Sequence, residues 1–210
     1  MRAKLVALDF DSTLVREESL NILAASIGKE KEVSSITHRA MSGSIEFEES
    51  LNLRINLFAG LNIEEIKRVA ELLTPSPGAV DLIHFCKENQ ILLAIISGGF
   101  FEVIDSFSLR PNFDFVYANS LKVLDGKLTG DIDDFSITRS GKAAALSEIA
   151  TRMKINRENI LAIGDGANDL EMLEFAGMSV SFKGHEILDS VVDLKIEESL
   201  EEVIPHLQVS

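Results

Sequence analysis

Apolar and polar positions alternate along this chain in two rhythms, and the change between them marks its organisation. Leu5-Val6-Ala7-Leu8 is a short unbroken apolar run, the pattern of one buried strand. From there to about Leu73 the period is helical. Leu20, Leu23, Ala24 and Ile27 fall on one face, with Gly28 as a stop. Further helices are predicted over 30–40, 44–59 and from Asn62, where Asn62 and Glu65 have capping-box spacing. Thr74-Pro75-Ser76-Pro77-Gly78 is the densest turn signal in the chain and reads as a linker.

Beyond the linker, strands and helices alternate. Helices are predicted over 79–89, 101–109, 141–153 and 169–176, with a terminal helix. Strands are predicted over 91–96, 113–118 and 160–163, near Val180 and over 191–196, and Asp125-Gly126 marks a hairpin turn. Short apolar strands between helices predict an α/β fold: a mostly parallel, Rossmann-like sheet with helices on both faces. Residues 1–15 and 74–210 form its core, and 16–73 a small helical cap inserted after the first strand. The cap is expected to close as a lid, hinged near Leu14–Arg16 and Thr74–Gly78.

Composition narrows the possibilities. No apolar run approaches a membrane span, and Met1-Arg2-Ala3-Lys4 leads into no secretory segment, so a cytoplasmic protein without membrane partners is expected. One cysteine, Cys86, agrees with a reducing compartment. The four histidines show no zinc spacing. A net charge of −14 argues against nucleic acid as a partner, yet leaves room for a small anion beside a local cation.

Three strands end in chemistry-bearing residues. The first ends at Asp9 and Asp11, which at i and i+2 of a strand share a face. Carboxylates this close repel unless a cation sits nearby. The second ends at Ser97-Gly98-Gly99, a hydroxyl and backbone N–H groups before a helix, suited to an anion. The third ends at Gly164-Asp165-Gly166-Ala167-Asn168-Asp169, whose hard oxygen donors suit Mg²⁺. In a parallel sheet these tips share one edge. Lys142 falls in the first turn of a helix, where a cation opposes the dipole. A carboxylate nucleophile, a second carboxylate as acid and base, a metal and a lysine together describe phosphoryl transfer.

Asp9-Phe10-Asp11-Ser12-Thr13, Ser97-Gly98-Gly99, Lys142 and Gly164 to Asp169 resemble the four ordered motifs of the haloacid dehalogenase-like superfamily. The resemblance implies Asp9 as nucleophile and Asp11 as general acid and base. It implies Mg²⁺ held by Asp9, the carbonyl of Asp11 and Asp165, with Asp169 in support. Ser97, with Gly98, Gly99 and Asn168, and Lys142 would hold the phosphoryl group. The segments Arg16-Glu17-Glu18-Ser19, Glu46 to Leu51 with Arg54, and Val123 to Gly130 are similar to the phosphoserine phosphatase family. That similarity implies O-phosphoserine as substrate, Glu18 on its amine, Arg54 on its carboxylate, and Met41 and Phe47 as apolar contacts. Lys183-Gly184-His185 departs from the Lys-Pro pair common there. Competing readings are a relative acting on another phosphomonoester or transferring phosphate to an alcohol such as homoserine, a receiver-like signalling domain, and a catalytically dead binding protein. Receiver domains are roughly half this length. A monomer or a homodimer fits the sequence equally.

Overall fold

The computed structural model describes residues 2–41, 44–134 and 136–208, the side chains of Ala40, Met41 and Phe47 excepted. Its elements run β1 (Leu5–Leu8), α1 (Ser19–Ser26), α2 (Glu30–Met41), α3 (Phe47–Asn56), α4 (Ile63–Leu72), α5 (Ala79–Glu88), β2 (Leu92–Phe100), α6 (Phe101–Ser106), β3 (Phe115–Leu124), β4 (Lys127–Asp134), α7 (Arg139–Met153), β5 (Ile160–Gly164), α8 (Leu170–Phe175), β6 (Met178–Phe182) and β7 (Leu194–Ile196). The seven strands form one sheet in the order β4-β3-β2-β1-β5-β6-β7, parallel except for the β3–β4 hairpin. Among the described residues no helix is long and apolar enough to cross a membrane.

β1 lies at the centre, with Leu5 level with Leu92 of β2 on one side and Ile160 of β5 on the other. All four of its residues are buried. Alternate side chains feed opposite faces: Val6 and Leu8 join the core under α1, α4 and α5, and Leu5 and Ala7 the core under α7 and α8. This two-sided burial explains an unbroken apolar run instead of alternation. The three predicted tips (Asp9, Ser97–Gly99 and Gly164–Asp169) accordingly meet at one edge of the sheet.

Several boundaries differ from expectation. β2 continues through Ser97-Gly98-Gly99 to Phe100, with a register shift against β3 between Ile96 and Phe100. The two glycines therefore sit in an irregular strand end, a bulge of the kind that re-aims residues beside sites, and α6 behind them is only six residues long. It stops ahead of Arg110-Pro111, which form a tight 3₁₀ turn. The chain's final helical segment, Leu200–His206, is 3₁₀ and contains Pro205, which has no N–H to donate to an α-helical ladder. α3 is shorter than the pattern suggested. Asn62 caps α4 by accepting from the Glu64 N–H at 3.0 Å. Its reciprocal partner Glu65 turns instead to Arg68.

Hydrogen bonds tie helices α1–α4 to the rest at two places, and α4 also packs against α6. The entering and leaving strands are stitched together: Arg16 N–H donates to the Thr74 carbonyl at 3.0 Å and Ser76 N–H to that of Leu14 at 2.9 Å. The Glu17 carboxylate accepts from Thr74 N–H and hydroxyl at 2.9 and 2.5 Å. The second attachment is the β3–β4 hairpin, turned by Asp125 and Gly126 at φ 49° and 75°. Gly60 N–H donates to the Leu128 carbonyl, Leu128 N–H to that of Leu61 and Ile63 N–H to that of Gly126, all within 2.8–2.9 Å.

Candidate active site

Asp9 directly follows β1, and its N–H donates to the Ile163 carbonyl of β5 at 3.0 Å, fixing it at the sheet edge. Its carboxylate accepts from Phe10 N–H at 2.7 Å and from Lys142 Nζ at 2.7 Å. Lys142 has 1% of its surface exposed and sits closer still to Asp169, at 2.5 Å. A merely solvated lysine is thereby excluded. α7 carries it inward: Thr138 caps the helix by accepting from Gly141 N–H at 3.2 Å, and a Cβ at Gly141 would lie 2.1 Å from the Ser136 carbonyl. Burial pulls the Lys142 pKa down, but Asp169 and Asp9 outweigh it and hold the ammonium charged well above the usual range.

The loop after Asp9 turns sharply at Ser12, whose φ of 56° is unusual for a residue with a Cβ. Ser12 is held there by hydrogen bonds from its N–H to the Glu17 carbonyl at 3.2 Å and from its hydroxyl to Glu18 at 2.6 Å. The loop turns Asp11 toward α1, where it accepts from Ser19 N–H at 2.9 Å and from Ser19 hydroxyl at 3.1 Å. Asp9 and Asp11 thus face one cavity but belong to different networks. Burial, then repulsion from Glu18, pushes the Asp11 carboxyl up to about 8. Burial, then Asp169, pushes Asp9 up to about 7 against the opposing pull of Lys142.

Asp169 is wholly buried and committed. One oxygen meets Lys142, and the other accepts from Asp165 N–H and Gly166 N–H, both at 3.1 Å. A Cβ at Gly164 would lie 2.5 Å from that carboxylate, which explains the glycine. Asp165 faces the cavity with Thr13 hydroxyl 3.4 Å away, and burial followed by Asp9 and Asp169 pushes it up to about 8. Oxygens of Asp9, Asp165 and Asp169 lie within 4.8 Å of one another. Three carboxylates and one lysine leave an excess of negative charge, and the donors are hard oxygens. This set fits a hard divalent cation. Asp11 stands outside the cluster of side-chain oxygens.

A cavity of about 330 Å³ opens over this centre, lined by Asp9, Asp11, Glu18, Arg54, Asp165 and Asn168, with Ser97, Gly98 and Gly99 along its wall. Gly99 N–H donates to Ser97 hydroxyl at 2.9 Å, and a Cβ at Gly99 would lie 3.1 Å from Asp11. Glu18, at the start of α1, and Arg54, in the last turn of α3, meet at the cavity. Burial lowers the Arg54 pKa, with Glu18 and Asp11 opposing. Two expected residues, Met41 and Phe47, have side chains outside the described set.

The atypical Lys183-Gly184-His185 segment packs directly behind the site. His185 N–H donates to the Asp165 carbonyl at 2.8 Å, and a Cβ at Gly184 would lie 2.1 Å from Ser181 hydroxyl. Sequence reasoning passed over Ser19, the partner of Asp11, and Asn119, a buried amide within β3. The signal for Asn119 was an amide interrupting a strand pattern; Ser19 had none, because serine opening a helix is ordinary.

The haloacid dehalogenase-like hydrolase family matches residues 6–174. The phosphoserine phosphatase of Methanocaldococcus jannaschii is 37% identical over 208 residues, 99% of either chain. That of Archaeoglobus fulgidus is 39% identical over 190 residues, 90% of this chain and 55% of its own. Two solved phosphoserine phosphatase structures, a phospho-aspartyl intermediate analogue and a substrate-bound complex, each superpose with a TM-score of 0.89 at 36% identity, covering 99% of this chain and 100% of theirs. The family match begins in β1 and ends in α8, so it takes in every strand tip described above, and the chain belongs to the haloacid dehalogenase-like hydrolase family.

Proposed function

We propose that this chain is an Mg²⁺-dependent phosphomonoesterase that converts O-phospho-L-serine to serine and phosphate through an aspartyl phosphate on Asp9. The observation that carries the substrate is the meeting of Glu18 and Arg54 at the cavity over the Asp9–Lys142 centre. Phosphoserine has an amine, a carboxylate and a phosphate. The cavity offers an anion, a guanidinium suited to a planar carboxylate and a floor that Lys142 and a bound divalent ion together would make cationic. The relatives named above, matched over nearly the full length, support the same reading.

Asp9, Asp165 and the carbonyl of Asp11 would hold the metal, with Asp169 in support. Bound there, the ion supplies positive charge that keeps the carboxylates ionised and offsets that of the phosphoryl oxygens. The residues divide the remaining work. Asp9 attacks phosphorus as the bond to the serine oxygen breaks. Asp11, buried beside Glu18 with its carboxyl pushed up to about 8, gives a proton to the leaving oxygen. Asp11 then takes a proton from the water that attacks phosphorus, and Asp9 departs as a free carboxylate with release of phosphate. Lys142, Ser97 and the Gly98–Gly99 backbone hold the phosphoryl group, with Asn168 beside them. Residues 16–73 act as the specificity cap.

The test is phosphate release from a panel of phosphate esters with and without Mg²⁺. Phosphoserine should lead, and preference for sugar phosphates or nucleotides would remove the substrate assignment. Arg54→Ala should raise KM for phosphoserine about 10–100-fold, the loss expected of a charged hydrogen bond, and leave p-nitrophenyl phosphate nearly untouched. Equal effects on both would argue against a carboxylate clamp.

A further inference from the structure

Asn119 lies within β3 with none of its surface exposed. A buried amide is costly unless it is paired, and this one is paired at both ends. Its Oδ1 accepts from Ile137 N–H at 2.9 Å, and its Nδ2 donates to the carbonyls of Gly98 at 2.9 Å and Ile137 at 3.3 Å. All three partners are backbone groups, and they belong to two segments that reach the site separately. Gly98 is the middle of the irregular strand end that borders the cavity. Ile137 directly precedes Thr138, the cap of α7, whose first turn carries Lys142.

The ordinary ladder does not serve here, because the β2–β3 register shifts between Ile96 and Phe100. One side chain bridges the gap. We propose that Asn119 is a positioning residue: it fixes the Ser97–Gly99 segment relative to the start of α7, and so sets the span across which a phosphoryl group lies between that segment and Lys142. It touches no reacting atom. Aspartate lacks the donors when ionised, serine is too short for three bonds, and leucine would strand three backbone groups. The inference rests on the site accepting a phosphate ester and is indifferent to which alcohol the ester carries.

Asn119→Asp is nearly isosteric and separates the roles. Ionised, it sets a negative charge against two carbonyl oxygens; protonated, it donates again. At about pH 8, kcat for p-nitrophenyl phosphate with saturating Mg²⁺ should fall about 10–100-fold, the scale of a small misplacement, with KM little changed. The variant-to-wild-type ratio of kcat should rise as the pH is lowered. Asn119→Ala should show the loss without that recovery, in protein verified as folded by circular dichroism at the assay temperature. Variants that melt earlier yet keep wild-type kcat, or an Asn119→Asp ratio to wild type that does not change with pH, would reduce Asn119 to a structural residue and overturn the proposal. The simpler ester keeps the two readings apart. A wild type that does not favour phosphoserine defeats the substrate assignment, whereas unchanged variants defeat Asn119.

Discussion

Lys142 stands between two buried carboxylates, and the charge balance of the site turns on that placement. Replacing it with methionine keeps the volume but leaves Asp9 and Asp169 facing each other without a cation. Breaking such a buried arrangement costs about 3–5 kcal/mol. The cost should be greatest at about pH 8 and smaller toward pH 5, where a carboxyl can take up the missing proton. Urea unfolding of Lys142→Met at both values measures it, and a pH-independent cost would argue against charge as the cause. Turnover should be lost in the same variant. The sequence exposed Lys142 only as a cation in an unfavourable turn of a helix, and its burial came from the fold. Asn119 was harder still, because its partners Gly98 and Ile137 lie about twenty residues away on either side, and Ser19 looked like an ordinary residue opening a helix.

At the scale of elements, the inserted helices are held more firmly than two flexible linkers would hold them. The strands at 14–17 and 74–76 are hydrogen-bonded to each other, so they form one joint. The β3–β4 hairpin grips the α3–α4 connection with three further hydrogen bonds. Gly130 lies in that contact at φ 90°, and a Cβ there would come within 2.9 Å of Ala59 Cβ. Gly130→Ala should therefore cost about 1–2 kcal/mol for the left-handed backbone alone, with the steric overlap added. Ala59→Gly should recover the steric part, as thermal melts of the single and double variants would show. A wild-type midpoint in Gly130→Ala would mean that this contact yields freely. The hairpin itself was legible from Asp125-Gly126, but its grip on the inserted helices was not. Backbone hydrogen bonds between distant loops leave no periodic trace.

Over the whole molecule, three carboxyls at one sheet edge carry pKa values raised from 3.8 to about 7 or 8. Between those limits the folded protein retains protons that the unfolded chain has released. Stability without divalent ions should therefore fall as pH rises from about 4 toward 8. The proposed Mg²⁺ would bind the folded state and compete with those protons, so its gain in Tm should be larger at about pH 8 than at about pH 6. Asp165→Asn should flatten the metal-free slope and shrink that gain; an unchanged slope would place the effect elsewhere. The sheet, its insert and the four motifs were readable because a parallel sheet gathers its strand tips whatever lies between them. The strand order follows from the same geometry and sets a timetable for synthesis. β1 pairs with β2 on one side and on the other with β5, which comes from the second half of the chain. At about 5–20 residues per second, β5 leaves the ribosome on the order of ten to thirty seconds after β1. Until then Asp9 has no Ile163 carbonyl to anchor it and no Lys142 or Asp169 in place, so the proposed nucleophile is among the first residues made and the last to be armed.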